Sequence, residues 1–133
     1  MDGEKAESLF QDFLRKKGRH PESNPGGFHP EWDVKDEQFT YEVKLDRKVQ
    51  ETGNVYIERK SLFNSKSDYF VYLFEPPEAP GREFIFIAPS AKVRNAYRRL
   101  EGEKGILGGD FKEPGVLLRY EDFRLIFRPL GYL

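Results

Sequence analysis

The stretch Thr40-Tyr41-Glu42-Val43-Lys44-Leu45-Asp46 decides the fold of this chain because its apolar and charged residues alternate. Side chains of a β-strand point in turn to opposite faces of a sheet, so the pattern predicts a strand over residues 39–46 with one face in the core. Glu42 and Lys44 then project side by side from the other face, and Val43 between them anchors the strand.

The elements around this strand predict an α/β domain built on one mixed sheet. Apolar residues at helical spacing predict a helix over residues 3–17, and a proline- and glycine-rich loop follows over 20–30. Further strands are expected at 32–35 and 54–58, with a polar loop at 47–53 and a short helical turn or loop at 61–66. The continuously apolar segment 69–74 predicts a central strand that is covered on both faces.

A proline-rich break at 76–81 separates this part from the C-terminal half. There we expect a strand over 84–88, a helix from 89 or 90 to about 100, and a glycine-rich loop over 102–109. Two closing strands, near 116–120 and 123–127, are expected to form a hairpin with a tight turn at 121–122. The whole chain, 1–133, is predicted to be one domain, since 133 residues can bury an adequate core.

The amino-acid composition of the chain limits the classes of function that fit it. The 22 basic and 23 acidic residues nearly cancel, which argues against a purely electrostatic DNA binder. A nuclease remains compatible, because acidic metal ligands offset phosphate-binding cations in the total. The absence of cysteine excludes thiolate metal sites, and neither a membrane span nor a signal-peptide pattern is present. We therefore expect a soluble, cytoplasmic protein.

Acidic residues near the central strand suggest metal-dependent chemistry. Asp33 precedes Glu42 by nine residues, at the end of a predicted hairpin, so the two carboxylates are expected on neighbouring strands. Together with the Val43 carbonyl oxygen they form a donor set that suits Mg²⁺, with Mn²⁺ as a substitute. Lys44 is positioned to orient or deprotonate a water, or to stabilise transition-state charge. Glu7, at the edge of the first helix's apolar stripe, is expected to support the site.

These residues resemble the PD-(D/E)XK nuclease superfamily, which includes archaeal Holliday junction resolvases. Asp33 stands for the family's Asp, Glu42-Val43-Lys44 for its (D/E)XK triplet, and Ala6-Glu7 for the helix-borne Glu of the resolvase-like branch. The chain departs from the pattern before Asp33, where Trp32 stands instead of Pro.

The resemblance implies a restriction-endonuclease-like αβββαβ core over residues 1–75, with 76–133 as a strand, helix and hairpin extension that completes the sheet. It implies a metal-dependent endonuclease acting on DNA, cutting selected structures either as a homodimer or with a partner that supplies specificity. A glycine turn before strand 54–58 and the Asp68-Tyr69 pair are similar to a subset of these nucleases, in which Glu58 and Asp68 bind metal indirectly or position the sheet. The apolar C-terminal residues are candidates for the dimer contact: Leu125, Ile126, Phe127, Leu130, Tyr132 and Leu133.

Simpler interpretations stand beside these. Glu-x-Lys is common on solvent-facing strands, Asp33 alone fits a turn, and Glu7 alone fits a solvated helix start. Arg47 and Lys48, just past the strand, are expected to contact phosphates. The same role is predicted for Lys16 and Lys17, although the helix dipole also explains cations at a helix end. The alternative function is a non-catalytic nucleic-acid-binding or assembly module, and RNA cleavage is not separable from DNA cleavage by sequence.

Overall fold

The structure, a computed structural model, describes residues 2–25, 31–104 and 114–133. These residues form a mixed α/β fold with five helices and two sheets. The helices are α1 (Asp2–Lys16), α2 (Val49–Thr52), α3 (Arg59–Asn64), α4 (Ser90–Lys104) and α5 (Tyr120–Phe123). The strands are β1 (Glu22–Ser23), β2 (Val34–Lys35), β3 (Thr40–Leu45), β4 (Asn54–Glu58), β5 (Tyr69–Phe74), β6 (Phe84–Pro89), β7 (Gly115–Arg119) and β8 (Arg128–Tyr132).

The predicted strand around Val43 is β3, an interior strand of the six-stranded mixed sheet. The strand order is β1-β2-β3-β5-β6-β8, in which β3 and β5 run parallel and the other neighbours antiparallel. The register pairs Tyr41 with Tyr69 and Leu45 with Leu73, so the carboxyl ends of β3 and β5 lie side by side at one end of the sheet. Lys44 and Asp46 therefore lie at that end.

Two hydrophobic clusters pack against the two faces of the main sheet, one on each. On one face α1 packs Ala6, Phe10 and Leu14, at helical spacing, against Val43 and its neighbours. The other face is covered by α4, α5 and a second sheet, and it is rich in aromatic rings. Strand β5 sends alternate side chains into both clusters, which confirms the prediction of a strand buried on both faces.

The sheet differs from the prediction at the third strand. Strand β4 does not join the main sheet; it pairs antiparallel with β7, from Asn54 opposite Arg119 to Glu58 opposite Gly115. The expected loop at 47–53 contains α2, which ends at Gly53 in the left-handed region at φ 74°. The short strand β1 lies within the expected loop at 20–30, where it pairs with β2 and forms the outermost strand on that side of the main sheet.

The predicted C-terminal hairpin is wrong. Residues 120–123 form α5, and the final strand is β8, which pairs with β6 rather than with β7. Tyr120, Phe123 and Phe127 are buried at helical spacing, and the rings of Phe123 and Phe127 stack with centroids 4.3 Å apart. A strand would hold two residues four positions apart about 13 Å from each other, so only a helical turn permits this stacking.

The second predicted helix runs longer than expected, to Lys104. Most of the predicted glycine-rich loop, from residue 105 onward, lies outside the described residues. No helix in the described parts of the chain has the length and apolar character needed to cross a membrane.

Candidate functional site

Asp33 lies beside β3 because two hydrogen bonds attach it there. Its backbone N–H donates to the carbonyl oxygen of Tyr41 at 2.9 Å, and its Oδ2 accepts from the Val43 N–H at 2.8 Å. The Val43 side chain is buried beneath α1. The structure thus places the Asp33 carboxylate against the backbone between Glu42 and Lys44, from the bend that precedes β2.

Glu42 is a buried acid, with only 9% of the residue exposed. Burial raises its pKa to about 7; Lys44 opposes this shift, and the nearby Asp33 reinforces it. The Ser65 hydroxyl is hydrogen-bonded to the carboxylate and belongs to a buried row of hydroxyls with Ser67 and Ser90. Glu42 is therefore a desolvated carboxylate held in a polar pocket within the core.

Lys44 lies between two acceptors. Its Nζ is 3.3 Å from Glu42 Oε2 and donates to Ser61 Oγ at 2.7 Å. The Ser61 hydroxyl in turn donates to Glu58 Oε1 at 3.0 Å. The ammonium group is thus fixed near the end of β3 by Glu42 on the same strand and by Ser61 in the first turn of α3.

Glu7 projects from α1 toward the same cluster. Its pKa is raised to about 7 by partial burial first, then by the charge of Asp33 and of Glu4. Asp33 therefore acts electrostatically on both Glu7 and Glu42. Acidic groups this close disfavour joint ionisation unless a proton or a cation compensates them.

The oxygen atoms of this site suit a divalent cation that takes only a few of its ligands from the protein. The hydrogen bond that Asp33 Oδ2 accepts from the Val43 N–H occupies only part of the carboxylate's acceptor capacity, so its oxygens can also bind a cation. Mg²⁺ commonly takes one or two carboxylates and retains its waters. Within residues 2–25, 31–104 and 114–133, however, no group of three or more acidic or histidine side chains is arranged to hold a metal ion. A site here would rest on Asp33, Glu42 and the Val43 carbonyl oxygen.

The structure separates the predicted phosphate-binding residues into two groups. Arg47 and Lys48 line an open depression of about 440 Å³ together with Lys44 and Glu58. Lys16, by contrast, lies nine residues beyond Glu7 in α1, or about 14 Å along the helix axis. Lys17 follows it, with its Nζ 5.4 Å from the centre of the Phe13 ring. Lys16 and Lys17 are therefore not brought to the carboxylates.

Asp68 lies at the opposite end of β3 from Lys44. Its Oδ2 accepts from both the N–H and the hydroxyl of Thr40, at 2.9 and 3.1 Å. This arrangement joins the starts of β3 and β5, so the role that Asp68 has in the structure is to position the sheet.

The sequence interpretation gave no role to Ser61 or Ser65. Both come from the segment expected to be a short helical turn or loop, where serine is ordinary. The only signal was that Ser61 follows Glu58 by three residues, the spacing of neighbours on one helical turn.

No protein-family model matches this chain, and no curated protein is similar enough in sequence to count as a relative. The function must therefore be argued from the residues and their geometry.

Proposed function

We propose that this chain is a metal-dependent nuclease that hydrolyses DNA phosphodiester bonds. The observation that carries the proposal is the convergence of Asp33, Glu42 and Lys44, with Asp33 hydrogen-bonded to the backbone between the other two. The proposal includes a restriction-endonuclease-like core, in which α1, β2, β3 and β5 provide the elements around the site.

Asp33, Glu42 and the Val43 carbonyl oxygen would hold Mg²⁺ or Mn²⁺, with Glu7 as a supporting carboxylate. The ion would stabilise negative charge on the phosphate and make water more acidic. The raised pKa values of Glu7 and Glu42 fit such a site, because acids crowded into a buried position gain most from a bound cation.

Lys44 supplies a fixed positive charge beside the ligands. Its contacts with Glu42 and Ser61 hold the ammonium group before substrate arrives, so little reorganisation is needed during the reaction. In this role Lys44 orients the attacking water or stabilises the charge that develops on the phosphate.

DNA is the proposed substrate because Arg47 and Lys48 share a depression with Lys44. Cations beside the site would contact phosphates and set the register of the strand. The chain is small, so we propose that specificity comes from cutting a particular DNA structure, as a homodimer or with a partner. The setting we propose is the cytoplasm.

A second candidate is a non-catalytic nucleic-acid-binding or assembly module. Two observations favour it: Lys44 and Ser65 already provide Glu42 with partners, and no group of three acidic or histidine side chains in the described residues is arranged to hold a metal. In such a protein the charged cluster would be an internal ion pair that binds no metal.

The test is cleavage of end-labelled DNA with Mg²⁺ or Mn²⁺, using duplex, single-stranded, flap and four-way junction substrates. Glu42→Gln and Lys44→Ala are expected to lower the rate by about 10²-fold or more, the scale of losing a transition-state contact. The substrate cut fastest would identify the preferred DNA structure.

Matched controls use residues outside the site. Glu51→Gln repeats the acid-to-amide change on the exposed side of α2, and Lys66→Ala removes a lysine that pairs with Glu31 on the surface. Equal cleavage by wild type, Glu42→Gln and Lys44→Ala would reject the site, since it would mean that the activity comes from elsewhere.

A further inference from the structure

A basic groove lies at the end of the main sheet opposite Lys44 and Asp46. Two depressions of about 450 and about 250 Å³ share Ile87 and Arg128 in their walls. They border the start of β5 at Tyr69, the end of β6 at Pro89 and the start of β8 at Arg128. We call these two adjoining depressions together the basic groove; its cations are Lys17, Arg19, Lys92, Arg124 and Arg128.

Charge in the basic groove is strongly one-sided. Among the described residues that line it, the five cations face one carboxylate, Asp36. Two of these cations have carboxylate partners: Arg19 pairs with Asp36 at 2.9 Å and with Glu37 at 3.7 Å, and Arg124 pairs with Glu78 at 3.7 Å. In the described parts of the chain, Lys17, Lys92 and Arg128 have no carboxylate within ion-pair distance. This excess in a chain of net charge −1 is complementary to a polyanion.

An exposed aromatic ring stands at one end of the basic groove. Phe39 is 37% exposed on the turn between β2 and β3, and its ring meets Tyr69 edge-on with centroids 5.0 Å apart. The turn is firmly held, because Asp36 Oδ1 accepts from the N–H groups of Gln38 and Phe39, each at 2.9 Å. A fixed aromatic ring beside a cationic groove is the combination that binds single-stranded nucleic acid, through base stacking and phosphate contacts.

We propose that the basic groove binds a single-stranded segment of DNA, with one base on Phe39 and phosphates on Lys17, Arg128 and Lys92. The inference rests on the proposed action on nucleic acid and adds the form of the substrate. Lys17 and Phe39 line the larger depression, Lys92 lines the smaller one, and Arg128 belongs to both, so a strand that contacts all four passes along the whole groove.

The test measures fluorescence anisotropy of a labelled oligothymidylate and of a duplex of the same length, in EDTA so that no cleavage occurs. Lys92→Gln/Arg128→Gln is compared with Arg82→Gln/Arg99→Gln, which removes the same charge from exposed positions outside the groove. The groove variant is expected to bind oligothymidylate at least about tenfold more weakly. The slope of log K against log salt should fall by about 1.4, from two lost phosphate contacts at about 0.7 each.

The proposed stacking of a base on Phe39 is tested by comparing two substitutions of that residue. Phe39→Leu keeps an apolar side chain and loses the ring, whereas Phe39→Tyr keeps the ring. Phe39→Leu should weaken binding by about fivefold or more, the lower end of the loss of one base stack, and Phe39→Tyr should bind like wild type. Melting curves of the four variants show whether any loss reflects unfolding.

The outcomes separate this inference from the proposed function. Equal losses in the groove and control pairs, or tighter binding of duplex than of oligothymidylate, would overturn the groove even if Mg²⁺-dependent cleavage persisted. Selective losses in the groove variants would support it even if wild type cleaved nothing, and would then favour the non-catalytic binding module.

Discussion

At the residue scale, the position of Lys44 is set by the two groups that its ammonium contacts, the Glu42 carboxylate and the Ser61 hydroxyl. A lysine side chain loses considerable rotamer freedom when it is fixed, and contacts with Glu42 and Ser61 compensate that loss. Glu58 accepts from Ser61 and so orients the hydroxyl toward its role as acceptor for Lys44. In the proposed nuclease, Ser61 and Glu58 act through Lys44 as positioning residues.

Ser61→Ala removes the acceptor that fixes Lys44 and leaves the proposed metal ligands, Asp33 and Glu42, unchanged. We expect kcat to fall by about tenfold, the lower end of effects seen when a supporting hydrogen bond is lost, while KM and the melting temperature stay close to wild type. Steady-state cleavage kinetics measure the two constants. Ser61→Thr retains the hydroxyl and should restore most of the rate; an equal loss in both variants would argue against this role.

The raised pKa values of Glu7 and Glu42 predict how stability depends on pH in the metal-free protein. Both rise from 4.5 to about 7 on folding, so the folded state binds more protons than the unfolded state between these values. The free energy of unfolding should therefore fall as pH rises from 4.5 to about 7. Glu42→Gln should flatten this dependence by roughly 1–3 kcal/mol, the equivalent of one to two pKa units.

Urea unfolding in EDTA at several pH values measures this effect, with Glu51→Gln as the control. If Glu42→Gln and wild type lost stability in parallel over the same range, the buried acid would not be the source of the dependence.

At the element scale, the spacing of apolar residues along the sequence correctly predicted those helices and strands that bury an apolar face in the core. Strands β3 and β5 and helices α1 and α4 belong to this group, because their side chains repeat with the period of the backbone. The pairing of β4 with β7 could not be predicted this way. Their alternation fits any sheet, and the choice of partner depends on how α3, α4 and α5 cover the aromatic cluster.

The candidate site could be predicted only in part from the sequence, again because tertiary contacts leave no periodic pattern. Glu42 and Lys44 share a face through their spacing alone, and Asp33 follows from the hairpin between β2 and β3. Ser61 and Ser65 reach the site because α3 returns the chain over Glu42, a tertiary contact with no periodic signature. The α5 segment was misread because a short apolar run fits both a strand and a helical turn.

Close packing of β7 against β4 predicts a sensitive glycine. A Cβ at Gly115 would meet the carbonyl oxygen of Ile57 and lie 2.6 Å from both Cζ and the hydroxyl oxygen of Tyr56. Gly115→Ala should therefore lower the free energy of unfolding by about 1–3 kcal/mol. At Gly102, within α4, a Cβ meets nothing within 4 Å, so Gly102→Ala should raise stability by about 0.5–1 kcal/mol. Denaturant unfolding measures both changes, and a loss at Gly102 as large as at Gly115 would contradict the packing argument.

At the scale of the whole molecule, the net charge of −1 conceals an uneven distribution. Glu7, Asp33 and Glu42 form an acidic cluster, whereas five cations line the basic groove. Total charge alone argued against DNA binding by electrostatics; the arrangement of the charges supports local binding.

The C-terminal residues predicted for a dimer have different surroundings in the fold. Phe127 is buried in the core, and Leu125, at 77% exposed, borders the basic groove. Tyr132, 55% exposed on the edge strand β8, remains a candidate for contact with a second copy. We expect sedimentation velocity to show a species of twice the 15.6 kDa chain mass, and Tyr132→Glu to shift it toward monomer. A monomeric wild type at high concentration would exclude the homodimer and leave a separate specificity partner.

The central claim, that Asp33 and Glu42 hold a divalent cation, is tested most directly by calorimetric titration with Mn²⁺, because binding is a property of the protein that no contaminating nuclease can imitate. We predict that wild type and Glu51→Gln bind Mn²⁺ alike, and that Asp33→Asn and Glu42→Gln bind at least about tenfold more weakly, as expected when one of few protein ligands is lost. Equal Mn²⁺ binding by all four proteins, or no binding by any, would contradict the metal site and favour the non-catalytic module.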